Sequence, residues 1–230
     1  MPDKVYRISR AVEGLLIRTL SRWRVEGVEN VPPRGPLIVV ANHLSNMDPP
    51  LLMCSIPRRL HFLAKRGLFK PGLSQFFSAF GAYPVDLEAA KDMKGFNWCR
   101  RLLERDGTIC IFPEGTRHRT GGMHKAIPGV ALLALRTQAP ILPVGITGTA
   151  HIGAIWQVFV PTGDITVRIG RVFSLPNVEG RLQRAQLDSF TTQVMQRIAM
   201  LLPREYQGVY ALAQSSPSPE GRSTSLEGAR

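Results

Sequence analysis

Residues 37–50 read LIVVANHLSNMDPP, an apolar run that leads directly into a loop with one histidine and one aspartate. The apolar residues 37–40 are typical of a buried strand, and α/β proteins place their chemistry in loops at strand ends. On a single helix, His43 and Asp48 would point about 140° apart, at about 100° per residue. They can meet only if His43 lies in the loop and the chain turns before Asp48. We therefore predict a strand, a loop and a helix with Asp48 at its N-cap and the next two prolines in its first turn.

The His43–Asp48 pair is a candidate for acid–base catalysis, because an imidazole held by a carboxylate can take a proton from a hydroxyl. Two residues at this spacing also occur together by chance. The same pattern fits an aspartate that only caps a helix and a histidine that bonds only to backbone. A second motif further along the chain favours the catalytic interpretation.

The second motif also follows a predicted strand. Residues 108–112 (TICIF) are typical of a buried strand and run directly into residues 113–117, PEGTR. A glycine-containing turn with a hydroxyl and a guanidinium can present donors to a phosphate. More positive or titratable side chains follow: His118, Arg119 and Lys125. Alone, this motif also fits a surface turn with a solvated arginine, but both motifs together on strand ends are difficult to obtain by chance.

With these motifs the chain resembles the glycerolipid acyltransferases of the 1-acyl-sn-glycerol-3-phosphate acyltransferase type. Four blocks are similar to those of the family and occur in its order: NHLSNMD at 42–48, GAYPVD at 81–86, FPEGTR at 112–117 and APILPV at 139–144. The lead-in at residues 25–35 is also similar, so the resemblance covers about residues 24–150. The first block resembles the catalytic motif of the family, and the third resembles its acceptor-phosphate motif.

The resemblance implies transfer of a fatty acyl group from an acyl thioester, acyl-CoA or acyl carrier protein, to the sn-2 hydroxyl of 1-acyl-glycerol-3-phosphate, giving phosphatidic acid. His43 would take the hydroxyl proton, and Asp48 would fix the imidazole tautomer and stabilise the imidazolium. The substrate-binding candidates are Glu114, Gly115, Thr116, Arg117 and Lys91. No metal or other cofactor is expected, because a thioester carries its own activation.

Glu114 and Lys91 differ from the other substrate-binding candidates. A carboxylate cannot favour a phosphate directly, so Glu114 is expected to be a structural or orienting residue that bonds a hydroxyl or Arg117. The second block of the family often ends in an arginine that contacts the acceptor phosphate, and Leu87 stands at that position here. Either this contact is absent, or Lys91, Lys94 or Arg117 carries the charge instead, so the departure bears on the identity of the acceptor and not on the reaction type.

Three alternatives remain open from the sequence. The acceptor can be another lysophospholipid or another hydroxyl compound. The protein can be a thioester or lipid hydrolase, although the chain has no Gly-x-Ser-x-Gly nucleophile elbow. It can also be a non-catalytic membrane-binding protein, although the intact motif residues argue against this.

The composition favours anionic partners. The 230 residues carry a formal net charge of +12 and a pI near 10.5, and they suffice for one domain with a core. Aromatic residues make up only 7%, and the chain lacks zinc-finger, helix-turn-helix and RNA-binding aromatic signatures, so nucleic acid is not the expected partner. An anionic membrane surface, a lysophospholipid and acyl-CoA or an acidic acyl carrier protein fit the charge better.

Residues 1–24 are predicted to form an amphipathic helix that associates with a membrane. At about 100° per residue, seven apolar side chains fall within roughly 140° of arc: Val5, Ile8, Val12, Leu15, Leu16, Leu20 and Trp23. Basic side chains lie opposite: Lys4, Arg7, Arg10, Arg18 and Arg22. Six basic and two acidic side chains give a net +4, which suits the interface of an anionic bilayer. The alternative is a surface helix that packs on its own domain.

A second basic region is followed by an aromatic one. Residues 58–70 contain five Lys or Arg and no acidic residue, and residues 68–80 contain four phenylalanines. Exposed, these side chains would dock the protein on lipid and admit an acyl chain. Equally, the aromatic residues would belong to the core.

The remaining sequence predicts an acyltransferase domain at residues 25–210, with α/β architecture and a mixed central sheet flanked by helices. Helices are predicted over 86–104, over 125–138 from about Pro128, and around 187–201, with a strand at 165–169. Residues 140–161 have no formal charge but contain Gly and Pro, so we expect strand, loop and strand rather than a membrane span. Residues 211–230 are expected to be a disordered tail.

The N-terminus shows no signal peptide, and Cys54 and Cys110 are predicted to be buried thiols, as suits a reducing environment. Together with the N-terminal helix, these features lead us to expect a peripheral or monotopic protein on the cytoplasmic face of the cell membrane.

Overall fold

The computed structural model describes residues 3–72, 74–85, 93–120, 122–178 and 180–211. In these residues seven strands form one sheet, and its order is β1-β7-β6-β2-β5-β3-β4. The strands are β1 (Arg22–Glu26), β2 (Leu37–Ala41), β3 (Leu60–Lys65), β4 (Ala82–Val85), β5 (Thr108–Ile111), β6 (Ile141–Thr147) and β7 (Asp164–Ile169). The five strands from β6 to β4 are parallel, whereas β7 is antiparallel to β6 and β1 is parallel to β7.

Seven α-helices accompany the sheet in the described residues. They are α1 (Asp3–Leu20), α2 (Asp48–Ser55), α3 (Ser74–Ala79), α4 (Met93–Leu103), α5 (Gly129–Thr137), α6 (Arg184–Ala199) and α7 (Arg204–Gln207). Short 3-10 helices lie at Val28–Asn30, Arg66–Leu68, Ile155–Phe159 and Gly208–Tyr210.

The central strand β2 separates two hydrophobic cores. Ile38 and Val40 belong to a core shared with α4, α5 and α6, whereas Leu37, Val39 and Ala41 belong to a second core shared with α1 and α2. All five residues are buried, as expected for a parallel strand covered on both faces. The predicted mixed sheet flanked by helices is confirmed.

Both sequence motifs lie at the same edge of the sheet. Strands β5, β2 and β6 are adjacent and parallel, so the loops that follow them leave from one edge. Strands β7 and β1 begin at this edge, because Thr166 pairs with Thr147 and Arg22 pairs with Asp164. Helix α1, which ends just before β1, therefore ends at the same edge of the sheet as the motifs, three strands from β2.

Helix α1 packs on the domain with one face and exposes the predicted apolar arc with another. Tyr6, Glu13 and Ile17 are buried, and the Tyr6 hydroxyl oxygen accepts a 3.0 Å hydrogen bond from the Leu60 N–H. Apolar residues on the outer side are exposed: Val5, Ile8, Val12, Leu15 and Leu20. The predicted C-terminal extent of the helix is wrong, because Trp23 lies in β1, whose backbone pairs with β7.

Two expectations for loop regions are wrong in part. Residues 140–161 contain β6 and then the 3-10 helix Ile155–Phe159, and the next strand begins only at Asp164. Asp48 is the first residue of α2 and Met47 occupies the N-cap, because the Asp48 carboxylate bonds back to the loop before the helix. No helix among the described residues is long and apolar enough to cross a membrane.

Other predicted elements match the structure where it describes them. Helix α5 begins directly after Pro128, α6 covers most of the predicted final helix, and β7 contains the predicted strand. The described part of the helix expected over 86–104 is α4. Residues 86–92, which include Leu87 and Lys91, and the tail residues 212–230 lie outside the described residues.

The basic region at residues 58–70 has a partly structural role. The Arg58 guanidinium donates hydrogen bonds to the backbone carbonyls of Pro32 and Gly35, and the Arg59 guanidinium lies 4.9 Å from the Tyr6 ring centroid. The rings of Phe69 and Phe77 are half-buried and lie 5.6 Å apart. Phe69 and Phe77 therefore pack partly on one another. They are neither fully exposed, as docking on lipid would require, nor fully buried, as core residues would be.

Candidate active site

The structure brings His43 and Asp48 together at the carboxyl end of β2. The His43 Nδ1 lies 2.8 Å from the Asp48 Oδ2, with the imidazole 16% exposed and the carboxylate fully buried. This contact requires an N–H on Nδ1, so Nε2 of the neutral ring carries the lone pair. No described residue bonds Nε2, which is therefore available to accept a proton.

Asp48 is held by donors from two loops. Its Oδ2 also accepts hydrogen bonds from the backbone N–H groups of Leu44 (2.7 Å) and Ser45 (2.8 Å). Its Oδ1 accepts a 2.7 Å bond from the Thr149 hydroxyl, which lies after β6. Because the anion has several good donors, its burial does not leave an unpaired charge.

A stacked aromatic ring also restrains the imidazole of His43. The His43 and Phe112 rings are stacked, with centroids 4.0 Å apart and an interplanar angle of 18°. Phe112 directly follows β5 and opens the second motif, so the neighbouring strands β2 and β5 jointly position the imidazole of His43. Asn42 adds a tie to β6, since its side-chain amide donates to the Ile146 carbonyl (2.9 Å) and accepts from the Ile146 N–H (2.7 Å).

The buried carboxylate of Glu114 links the two motif loops by hydrogen bonds. It is buried, its Oε1 accepts from the His43 N–H (3.0 Å), and its Oε2 accepts from the His124 N–H (2.8 Å). Burial raises the pKa of its carboxyl, and the two backbone hydrogen bonds partly oppose that rise. Both oxygens bond backbone N–H groups, so Glu114 has a structural role here. The expected partners are wrong, because Arg117 bonds Asn46 instead.

The Gly-Thr-Arg turn presents its side chains but not the Gly115 N–H. That N–H donates to the Phe112 carbonyl at 3.1 Å, so it closes the turn and is unavailable to a phosphate in this conformation. Gly115 has φ 70°, and an added Cβ would lie 2.7 Å from Ile127 Cδ1, so only glycine fits. Thr116 and Arg117 are exposed.

Two arginines meet the loop that follows β6. Arg117 Nη1 donates to Asn46 Oδ1, and Asn46 Nδ2 donates to the Gly153 carbonyl at 2.9 Å. Arg119 lies against the same glycine, because a Cβ added at Gly153 would be 2.5 Å from both of its Nη atoms. Both guanidinium groups are thereby gathered beside the His43–Asp48 loop.

Two further histidines lie beside the His43–Asp48 pair. The rings of His118 and His124 are stacked, with centroids 3.6 Å apart and an interplanar angle of 7°, and the His118 N–H donates to the His43 carbonyl at 2.8 Å. Desolvation, followed by the charges of His124 and His43, lowers the pKa of His118. The charge of His124 contributes to the lowered pKa of His118, because a cation disfavours a second cation close by.

A family model described as Acyltransferase matches residues 22–147. The chain belongs to this acyltransferase family. A stretch of 128 residues is 33% identical to the human 1-acyl-sn-glycerol-3-phosphate acyltransferase alpha, and it covers 54% of this chain and 44% of that protein. A chloroplastic 1-acyl-sn-glycerol-3-phosphate acyltransferase from Arabidopsis thaliana is 29% identical over 160 residues, or 68% of this chain and 43% of that protein.

A solved structure extends the likeness to the fold. The crystal structure of the 1-acyl-sn-glycerophosphate (LPA) acyltransferase PlsC from Thermotoga maritima aligns with a TM-score of 0.64 and 27% identity, over 87% of this chain and 82% of that chain. The family predicted from the sequence motifs is confirmed. The chain matches less than half the length of these two curated relatives.

The acyltransferase motifs did not reveal every residue that positions the site. Asn46, Thr149, Gly153 and Arg119 were not singled out for these roles, although Arg119 was noted for its charge. Their signal is topological: residues 148–153 leave β6 beside β2, so polar groups there can reach the His43–Asp48 loop. Lys91 lies outside the described residues, and within the described ranges no cluster of three or more His, Cys, Asp or Glu side chains can hold a metal ion.

Proposed function

We propose that this acyltransferase transfers a fatty acyl group from an acyl thioester to the sn-2 hydroxyl of 1-acyl-glycerol-3-phosphate, giving phosphatidic acid. The observation that carries the proposal is His43, with Nδ1 bonded to a buried carboxylate, beside a turn that exposes Arg117. A base for a hydroxyl and a guanidinium for a phosphate are the two groups that this acceptor requires.

His43 acts first as base and then as acid. Its Nε2 takes the acceptor hydroxyl proton while the hydroxyl oxygen attacks the thioester carbonyl carbon, forming a tetrahedral oxyanion. The intermediate collapses with cleavage of the C–S bond, the ester remains on glycerol, and the departing sulfur receives the proton from Nε2. Asp48 stabilises the transient imidazolium, and a positioned base contributes on the order of 10²–10⁴ in rate.

Arg117 binds the acceptor phosphate and so places the hydroxyl near the base. Asn46 holds Arg117 from the His43–Asp48 loop, which couples the phosphate site to the catalytic pair. Thr116 supplies an exposed hydroxyl beside it, and Lys91 is a further candidate for the same phosphate. Binding of the phosphate, which takes no part in the reaction, thereby orients the acceptor hydroxyl toward the His43 Nε2.

The acyl donor is acyl-CoA or acyl carrier protein. Both are anionic, which suits the net charge of +12, since a positive field raises the local concentration of an anion. The two donors differ in size, so parallel assays with each thioester distinguish them.

The protein binds peripherally to an anionic membrane on the cytoplasmic face. The support is the outer face of α1, where Ile8, Val12 and Leu15 are each more than half exposed and Arg7 and Arg18 are exposed close by. Apolar side chains flanked by cations suit the headgroup region of such a bilayer.

The test is an assay of the purified full chain with labelled acyl-CoA or acyl carrier protein, with and without lysophosphatidic acid. We expect product only when the acceptor is present, and we expect His43→Ala to lower turnover by on the order of 10²–10⁴. The matched control is His151→Ala, since His151 is an exposed histidine whose ring Nε2 lies 3.4 Å from the Thr162 Oγ1 and not against His43 or Asp48. Thiol release without acceptor would identify a hydrolase, and no turnover with any acceptor would leave only the membrane-binding alternative.

A further inference from the structure

The segment between β6 and β7 exposes a cluster of apolar side chains beside the catalytic pair. Trp156 is 66% exposed, Ile155 is more than half exposed, and Phe159 and Val160 are nearly half exposed. Residues 137–163 contain no Lys, Arg, Asp or Glu. We call residues 155–160 the apolar tip. Surface hydrophobic residues occurring singly need no explanation, but four within six residues indicate an interaction surface.

The apolar tip stands on a firmly bonded base. Gln157 Oε1 accepts hydrogen bonds from the N–H groups of Gly153 and Ala154, both at 2.8 Å. Ile152 is buried, and its carbonyl accepts a 2.6 Å bond from the Ser45 hydroxyl. The side-chain oxygen of Gln157 is therefore bonded to the local backbone. Val158 packs on the second core, and the other four apolar side chains of the tip are exposed.

Positive charge lies at this base. The Arg119 guanidinium lies against Gly153, two residues before the tip, and Arg117 reaches the same glycine through Asn46. An apolar tip above cationic groups matches the headgroup boundary of an anionic bilayer, where acyl chains meet phosphates. Tryptophan suits this depth because its ring is apolar and its N–H is polar.

We propose that the apolar tip inserts into the headgroup region of an anionic phospholipid bilayer, as a contact separate from α1. The inference rests on the proposed function, because an acceptor embedded in the membrane must reach His43 from the bilayer surface. The tip and the His43–Asp48 loop are joined through Ser45 and Asn46. Insertion therefore sets the distance between the membrane and the catalytic base.

Tryptophan fluorescence of the full chain tests the insertion directly. The variant Trp23→Phe/Trp98→Phe leaves Trp156 as the sole tryptophan, and Trp23→Phe/Trp156→Phe leaves Trp98, which stacks on Tyr83 within the domain. We expect phosphatidylcholine vesicles containing phosphatidylglycerol to shift the Trp156 emission to shorter wavelength. Lipids brominated high on the acyl chain should quench Trp156 and not Trp98. Vesicles that contain only phosphatidylcholine should neither shift the Trp156 emission nor, when brominated, quench it.

An activity measurement separates this inference from the proposed function. Trp156→Ser/Phe159→Ser should raise KM for lysophosphatidic acid in anionic vesicles about tenfold or more, since two large apolar side chains lose their burial. It should leave turnover of a short-chain soluble acceptor unchanged. Met200→Ser/Val209→Ser, which changes two exposed apolar residues elsewhere, is the matched control and should alter neither.

The outcomes are distinct. If the protein binds vesicles and acylates the soluble acceptor, but Trp156 is neither shifted nor quenched, the insertion is refuted and the proposed function stands. A Trp156 shift that occurs without lipid and rises with protein concentration would assign the tip to a second copy of the chain, which also refutes insertion. If Trp156 is quenched by lipid while no acceptor is acylated, insertion is supported and the proposed function fails.

Discussion

Asp48 and Glu13 are both buried carboxylates on helices that face the second core, yet their surroundings differ. Asp48 accepts hydrogen bonds from two backbone N–H groups, a hydroxyl and an imidazole. Glu13 is 2% exposed, and no described residue donates a hydrogen bond to its Oε1. Burial raises the pKa of Glu13 to about 7. A buried carboxylate is stable as an anion only when donors replace the lost water.

The difference separates a loop whose carboxylate is hydrogen-bonded through both oxygens from a helix that buries a carboxylate oxygen with no donor among the described residues. The loop around Asp48 is bonded to β6 and to the second motif, so the base is held in one orientation before substrate arrives. Helix α1 instead places the Glu13 carboxylate, which lacks a donor at its Oε1 among the described residues, near Cys54 of α2. Burial, and then the charge of Glu13, raises the pKa of the Cys54 thiol to about 12. Hydrogen bonds therefore preorganise the Asp48 loop, and α1 docks on the domain through the buried side chains of Tyr6 and Ile17.

The largest expected effect is the loss of turnover in Asp48→Asn. The amide would direct an N–H toward the donors at Leu44, Ser45 or His43, so the imidazole would lose the partner that fixes its tautomer. Turnover should fall by on the order of 10⁴, as when the carboxylate behind a catalytic imidazole is removed. Steady-state kinetics of the folded variant measure this, with circular dichroism to verify folding. Turnover within tenfold of the parent would show that the Asp48 network is structural only.

Arg117→Ala tests a residue unlike the buried Asp48: the Arg117 guanidinium is exposed and has one side-chain partner, Asn46. Loss of a charged contact corresponds to about 1.5–3 kcal/mol, or roughly ten- to a hundredfold, and it should appear in KM for lysophosphatidic acid and not in KM for the acyl thioester. Arg136→Ala is the matched control, because Arg136 is an exposed arginine of α5. An effect confined to the thioester would move Arg117 to the donor site.

The outer face of α1 should control membrane binding without affecting chemistry. Deletion of residues 1–22, the simplest test from the sequence, would uncover the core around Tyr6 and Ile17, so substitution of exposed residues is the cleaner change. The variant Ile8→Ser/Val12→Ser/Leu15→Ser should weaken binding to anionic vesicles about tenfold or more. Co-sedimentation measures it, and Val28→Ser/Met200→Ser/Val209→Ser, at exposed sites elsewhere, is the control. Unchanged sedimentation would refute the membrane role of this face.

Elements that depend on neighbouring residues could be predicted from the sequence. Features that depend on pairing between strands far apart in the chain could not. The strand, loop and helix around His43 were predictable because apolar residues, a turn and prolines occur in order. Strand β1 was missed because RWRVE continues the charged pattern of the helix, and its strand form depends on β7, which is about 140 residues away in sequence. Thr149 and Gly153 carry no local signal, because their roles follow from β6 lying beside β2. The PEGTR turn was predictable as a motif, but the Gly115 N–H bond that closes it was not.

Glu13→Gln should produce the smallest effect, in stability alone. Between about pH 4.5 and about pH 7 the folded protein keeps a proton on Glu13 that the unfolded chain releases. The free energy of unfolding therefore falls as pH rises through this window and stays low above it. Glutamine is neutral at every pH, so the variant should be more stable than the parent above pH 7, by about 1–3 kcal/mol, and similar to it near pH 4. Urea unfolding across this range measures the difference, with the exposed Glu104→Gln as control, which should change stability by no more than about 0.5 kcal/mol. A variant with the same pH dependence as the parent would show that Glu13 gains donors from water in solution. Its burial would then not distinguish it from Asp48.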